Sequence, residues 1–322
     1  MKPTPTRILF VVILLALFVA NSSAQTRTPI SGEWRIEFTR DEPDQVQLTM
    51  FHGNGGRKQN WGHGVKVSEL QGLPVEQARN SAIDVTMRIT REAGTFVLTG
   101  AFRDGKGSGN WTLTPSESFI AAMASRGYTN LTDANLFSAA MADMKVDSID
   151  ELKAAGYDHL AFDRLIEANI FKVNGAVISD LKAAGFENLP FSKLVEAQIF
   201  KVNSAFAKEA EDLGFGRLPF NKLVELRVHK ITPEYINEIR ATGFNKLALN
   251  QIVEFKIFKV TPEFVNDLRA VGYSSITPQQ VVELRIFKID IDYVRRMKAN
   301  DPYVTIQQIV NYKMNERRDP PI

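Results

Sequence analysis

Residues 232–259 read TPEYINEIRATGFNKLALNQIVEFKIFK, and residues 261–288 read TPEFVNDLRAVGYSSITPQQVVELRIFK. The second stretch repeats the first, position for position, at an offset of 29 residues. The beat runs further in both directions. Gly127, Gly156, Gly185, Gly214, Gly243 and Gly272 stand 29 residues apart with no insertion between any two of them. A fixed period held over six units marks a tandem array, because independently arising elements drift in length.

Each period holds signals for two short helices. The first begins at a capping residue, Asn174, Asn203, Thr232, Thr261 or Asp290, and in Thr232-Pro233 and Thr261-Pro262 proline takes the first helical position. Apolar residues stand seven and four places before each glycine, and eight places before all but Gly156, such as Phe264, Val265 and Leu268, with polar residues between them. That spacing gives a helix of about nine residues one buried face. The glycine ends it in a left-handed turn. An aromatic follows each glycine, and the chain enters a second, more apolar helix. In the unit of Gly272 that helix carries Val281, Val282, Leu284, Ile286 and Phe287, read here as buried against its own partner and a neighbouring unit. A 29-residue helix pair cannot bury such a helix alone, so the units are expected to stack into an α-solenoid.

The end units differ from the middle ones. The first, Ser118–Val146, has Ala142-Asp143 where the others have phenylalanine-lysine, and the last has Asn300-Asp301-Pro302 in place of glycine-aromatic. Both read as capping units with polar outer surfaces.

Two columns of charge recur. Sixteen residues after each glycine stands Lys172, Lys201, Lys230, Lys259 or Lys288, and five residues before each lysine stands Glu167, Glu196, Glu225, Glu254 or Glu283. The simpler reading places each lysine at the C-terminal end of a second helix, where the helix dipole favours a cation. The other makes the lysines a stripe that meets an acidic partner peptide or polymer. Phe171, Phe200, Phe258 and Phe287 precede the lysines and read as interface packing, with His229 an accommodated core variant.

Before the array the pattern has period two. Trp34, Ile36 and Phe38, then Val46, Leu48 and Met50, then Ile83, Val85, Met87 and Ile89 each alternate with polar residues. Phe96, Leu98, Phe102, Trp111 and Leu113 continue the alternation. Arg91-Glu92-Ala93-Gly94 and Asp104-Gly105-Lys106-Gly107 read as hairpin turns. Five or six antiparallel strands in meander order follow, as a small barrel or curled sheet. Gly100, Gly107 and Gly109 suit sharp curvature near the last hairpin, and 68–81 reads as a long connection with at most one short helical turn. The fold class is thus α+β, an antiparallel β domain over 25–115 and an all-α array of about six to seven helix-pair units over 116–322.

Lys2 and Arg7, the apolar run Ile8–Ala20, and small residues at Ser22 and Ala24 predict a secretory signal over 1–24, cut after Ala24. The chain has no cysteine, which excludes disulfides and thiolate metal sites. Loss of Lys2 and Arg7 from 39 basic residues leaves 37 against 37 acidic ones. A neutral mature chain lacks the basic excess that phosphate neutralisation needs, so nucleic acid is not the expected partner.

Motifs for chemistry are weak. His52-Gly-Asn-Gly-Gly-Arg57-Lys58 lacks the phosphate-loop spacing, and His52 and His63 have no acidic third ligand nearby. Trp34, Trp61 and Trp111 fill a core or line a ligand pocket. No catalytic, cofactor or metal residue is assigned.

The β segment ending in GAFRDGKGSGNW, followed by repeats of the type ITPEYINEIRATGF, resembles a group of exported bacterial proteins. Similar repeats occur at the extracytoplasmic end of some BlaR-type sensor metallopeptidases. The resemblance implies a periplasmic or secreted protein of this two-part build. It implies no peptidase role, because no HExxH is present. The function expected is non-enzymatic binding of a protein or peptide through the array. The alternative is binding of a small molecule, lipid or carbohydrate by the β domain with the array as scaffold.

Overall fold

The structure, a computed structural model, describes residues 29–39, 42–53 and 59–318. The predicted signal over 1–24, and Arg57-Lys58 of the glycine-rich loop, lie outside them. The described residues form two compact units, one up to Met87 together with Phe96–Thr114, the other Arg88–Thr95 together with the chain from Pro115 onward.

The six strands form one antiparallel sheet: β1 (Ile30–Phe38), β2 (Gln45–His52), β3 (Gln59–Lys66), β4 (Ile83–Arg91), β5 (Gly94–Arg103) and β6 (Lys106–Pro115). The hydrogen-bonded order is β3-β2-β1-β6-β5-β4. This corrects the expected meander at one step. β3 and β4 follow each other in sequence yet take opposite edges, while β1 pairs with β6, Trp34 facing Gly109 across the ladder. The reason is the connection between them. It holds a 3-10 turn, Val67–Glu69, and a six-residue helix, α1 (Val75–Asn80), rather than a single turn. Ala78 on α1 is fully buried, its carbonyl accepts from the Gly105 amide at 3.1 Å, and the Arg79 guanidinium lies 4.2 Å from the centre of the Phe38 ring. Such a connection is too long and too well packed to serve as a tight hairpin.

The period-two residues form the core. Trp34, Ile36, Val46, Leu48, Met50, Met87, Phe96, Leu98, Phe102, Trp111 and Leu113 are all buried. Burial of each contributes about 1.5–3 kcal/mol. The turn at Asp104-Gly105 has positive φ at both residues, +48° and +82°, which matches the twist of its strands. The glycines near it stand against neighbouring backbone and aromatic rings. A Cβ on Gly100 would stand 2.8 Å from the Trp34 ring, and one on Gly107 would stand 2.6 Å from the Phe102 ring. They leave space for the aromatic core.

The second unit carries α2 (Glu117–Ser125), α3 (Asp133–Met141), α4 (Asp147–Ala154), α5 (Phe162–Ile170), α6 (Gly175–Ala183), α7 (Phe191–Phe200) and α8 (Ser204–Ala210). It continues with α9 (Phe220–Val228), α10 (Pro233–Ala241), α11 (Leu249–Ile257), α12 (Pro262–Ala270), α13 (Pro278–Ile286), α14 (Ile291–Asn300) and α15 (Ile306–Arg318). Each sequence period supplies one even-numbered and one odd-numbered helix. The five expected caps are in place: the side chains of Asn174, Asn203, Thr232, Thr261 and Asp290 accept from the amide three residues on, at 2.8–3.3 Å. The six periodic glycines all have φ between +84° and +106°. At Asp301, where the beat loses its glycine, φ is −137° and the helix ends in an extended residue instead.

Equivalent helices of neighbouring periods touch: α4 with α6, α6 with α8 and α12 with α14, and likewise α3 with α5, α7 with α9, α11 with α13 and α13 with α15. Cations near the ends of even-numbered helices bind the aromatics that follow the preceding glycine. Arg240, Arg269 and Lys298 sit 5.3, 5.0 and 4.4 Å from the ring centres of Phe215, Phe244 and Tyr273. Tyrosine hydroxyls reach further along the array. Tyr128, Tyr157 and Tyr273 donate to the carbonyls of Leu160, Leu189 and Val304 at 2.7–2.8 Å.

Candidate partner-binding face

The odd-numbered helices end in a common sequence: EANIFK (167–172), EAQIFK (196–201), ELRVHK (225–230), EFKIFK (254–259) and ELRIFK (283–288). In α13, Val281, Val282 and Leu284 are buried as expected, but Ile286 is 44% exposed. The same position is open in every one of these helices: Ile170, Ile199, Val228 and Ile257 are 45–49% exposed. The reading of Ile286 as a packing residue is therefore corrected. It lies in the final turn, one turn past Val282. The aromatic that follows, Phe171, Phe200, Phe258 or Phe287, is half-buried, and so is His229, which is not a core residue.

The five candidate lysines stand beside this open aliphatic column. Lys172, Lys201, Lys230, Lys259 and Lys288 are all exposed, and none makes an ion pair or a side-chain hydrogen bond with another of the described residues. They do more than follow a helix end. Each has φ between +52° and +58°, the left-handed conformation. The next amide, at Val173, Val202, Ile231, Val260 or Ile289, donates back five residues at 2.7–2.9 Å, closing a Schellman motif. Glycine or asparagine is the usual residue there, since a side chain costs about 1 kcal/mol or more in that conformation.

The glutamate column lies one helical turn before the exposed aliphatic. Three of its members are neutralised on their own helices, Glu167 by Arg164, Glu196 by Lys193 and Glu225 by Lys222, at 2.5–2.7 Å. Among the described residues the lysine column has no such compensation. In the first period the face is absent: Met141 is buried, and Asp143 takes the left-handed position and pairs with Lys145 at 2.8 Å. Sequence reading found the charges and missed the exposed aliphatic, because a period of apolar residues does not say which of them a neighbour covers. The signal was present in the constancy of isoleucine or valine at that register.

The other candidates fare differently. Trp34 and Trp111 are fully buried, and their indole nitrogens donate to the carbonyls of Thr99 and Glu33 at 3.1 and 3.0 Å. Their rings therefore belong to the core, and Trp61 on β3 is half-buried. A cleft of about 380 Å³ in the first unit lies on the polar side of the sheet, between Arg35, Glu37, Gln47, Thr49 and Lys106. His52 pairs across β2–β3 with Gln59 and His63 with Leu48, so four ladder steps, about 13 Å, separate the two histidines along the strands. Among the described residues no group of three or more histidines and carboxylates is placed to hold a metal ion.

In the second unit a cavity of about 300 Å³ is lined by Arg126, Tyr128, Asp150, Lys153, Tyr157 and His159. Arg126 grips Asp150 through two hydrogen bonds of 2.9 and 2.6 Å. That bond lowers the pKa of the Asp150 carboxyl and raises that of the guanidinium. Both charges are spent on each other. No helix among the described residues is long and apolar enough to cross a membrane. No family model, curated protein or solved structure matches this chain.

Proposed function

We propose that the chain is an exported, non-enzymatic interaction module whose helical array holds a protein or peptide partner along the ends of its odd-numbered helices. The array is read as an α-solenoid of six to seven 29-residue helix pairs, the first and last acting as caps. One observation carries the reading: five aliphatic side chains, 44–49% exposed, stand at one register beside five lysines without partners among the described residues. Recurring exposed aliphatics flanked by charge are characteristic of protein contact surfaces. The buried tryptophans argue against the alternative of a small-molecule, lipid or carbohydrate site in the β domain. The placement of the protein outside the cytoplasm rests on the predicted signal, and kinship with exported bacterial repeat proteins rests on the quoted motifs.

Site-specific photocrosslinking in the producing cell tests the reading. A crosslinkable residue is placed at Ile199 or Ile257 of the full chain, and at Arg35 on the sheet as control. Partner adducts are expected from the first two positions. Adducts from Arg35 alone, or from none, would sink the proposal. N-terminal sequencing of exported protein should begin at Gln25.

A further inference from the structure

The face has a chemical preference, and this inference rests on the function proposed above. Exposed positions elsewhere in the array have diverged between periods. Three residues after the glycine stand the exposed His159, Asn188, Arg217, Lys246 and Ser275. Duplication by itself would let every exposed column drift in this way. The exposed isoleucine or valine and the exposed lysine have not drifted. Lysine is moreover held where glycine would relieve the backbone. The helix dipole favours a cation at a helix end by about 0.3–1 kcal/mol, no more than that backbone cost, and packing does not call for lysine.

We propose that the face binds an extended acidic peptide that presents one apolar and one acidic side chain to each period. The lysines have no partner among the described residues, so an acidic chain supplies the missing countercharge. Geometry points to an extended chain. Packed neighbouring helices stand 8–10 Å apart, and a polyproline II chain advances about 9 Å per three-residue turn. Side chains at every third residue then meet successive periods in register.

The test uses full-length mature protein and a labelled 15-residue probe of five Leu-Asp-Pro triplets, followed by fluorescence anisotropy. A Leu-Lys-Pro peptide and phosphatidylcholine–phosphatidylserine vesicles serve as comparison arms. Wild type is expected to bind the acidic probe, and to bind it more weakly as salt is raised. Replacing all five lysines with asparagine, which tolerates the left-handed backbone, should weaken binding on the order of 100-fold without loss of thermal stability. Replacing Ile199 and Ile257 with serine should weaken it as well. Equal binding of the basic peptide, lost on the serine changes and indifferent to the asparagine ones, would overturn the acidic preference and leave the peptide-binding reading standing. Vesicle binding without peptide binding would overturn the inference in favour of a membrane surface. Binding of no probe by wild type would overturn the inference, and crosslinking from Ile199 or Ile257 then decides whether the broader reading survives.

Discussion

Arg217 fills the space that Gly185 leaves empty. An added Cβ on Gly185 would stand 1.1 Å from a terminal guanidinium nitrogen of Arg217, and that nitrogen donates to the Ala184 carbonyl at 2.8 Å. Gly156 has the same left-handed backbone and nothing within 4 Å of such a Cβ. Gly156→Ala should therefore cost about 1 kcal/mol from backbone conformation alone. Gly185→Ala should cost about 1 kcal/mol more, because the arginine is displaced from its carbonyl. A double-mutant cycle with Arg217→Ala, read by urea unfolding, should recover most of that excess. Equal costs at the two glycines would refute the contact.

The lysine column makes the opposite prediction. Lys259→Gly removes a side chain from a left-handed residue at +55°, and should stabilise the chain by about 0.5–1 kcal/mol. Lys259→Val, whose branched side chain is least tolerated there, should destabilise it by at least as much. Thermal unfolding of the pair separates a backbone effect from a charge effect, since both changes delete the same charge.

Thr261 and Asn203 cap even-numbered helices by accepting from Phe264 and Phe206 at 3.2 and 2.8 Å. Thr261→Ala and Asn203→Ala should each lower stability by about 1 kcal/mol, and glycine at either position by a few tenths over the native cap. Denaturant midpoints with unchanged slopes would confirm a local cap loss.

Five tyrosines of the array should make it sensitive to alkali. Burial pushes the Tyr235 hydroxyl up to about 12, from an ordinary value of 10.0, and raises those of Tyr128, Tyr157 and Tyr273. Burial, with the hydrogen bond to Glu316, pushes Tyr293 up to about 12 as well. Below pH 10 these phenols are neutral in folded and unfolded chains alike, and stability does not depend on them. Above it the unfolded chain loses its phenolic protons first and is favoured. Stability should thus fall as pH rises from about 10 to about 12, with Tyr235 alone accounting for roughly 2–3 kcal/mol. Urea midpoints across that range, with and without Tyr235→Phe, check the sign.

In the sheet, Gly109 lies against the Thr99 carbonyl so closely that a Cβ would come within 2.0 Å of it, and Gly100 stands beside the Trp34 ring. Gly109→Ala should disrupt the β5–β6 pairing, costing about 3 kcal/mol or more. A shift of tryptophan fluorescence toward that of solvent-exposed indole should accompany the loss.

Much of the fold was legible in the sequence because its determinants are local. A 29-residue beat of glycine, caps one turn before an apolar stripe, and strict alternation over Val46–Met50 each act within a few residues, through φ, a side-chain hydrogen bond or the pleat. The strand order was less legible. That β1 pairs with β6 depends on what the 67–82 connection packs against, and no residue in either strand states it.

The candidate face divides in the same way. By itself, the sequence determined the periodicity, the helix caps, the glycine turns and the column of lysines, since each follows from the chemistry of one residue and its neighbours in the chain. Only the tertiary structure decided that Ile286 and its four counterparts stay open while Val281, Val282 and Leu284 are covered. It also decided that the lysines close left-handed caps with no partner for their charge among the described residues. Burial is a property of what packs against a side chain, and that neighbour comes from another period of the chain.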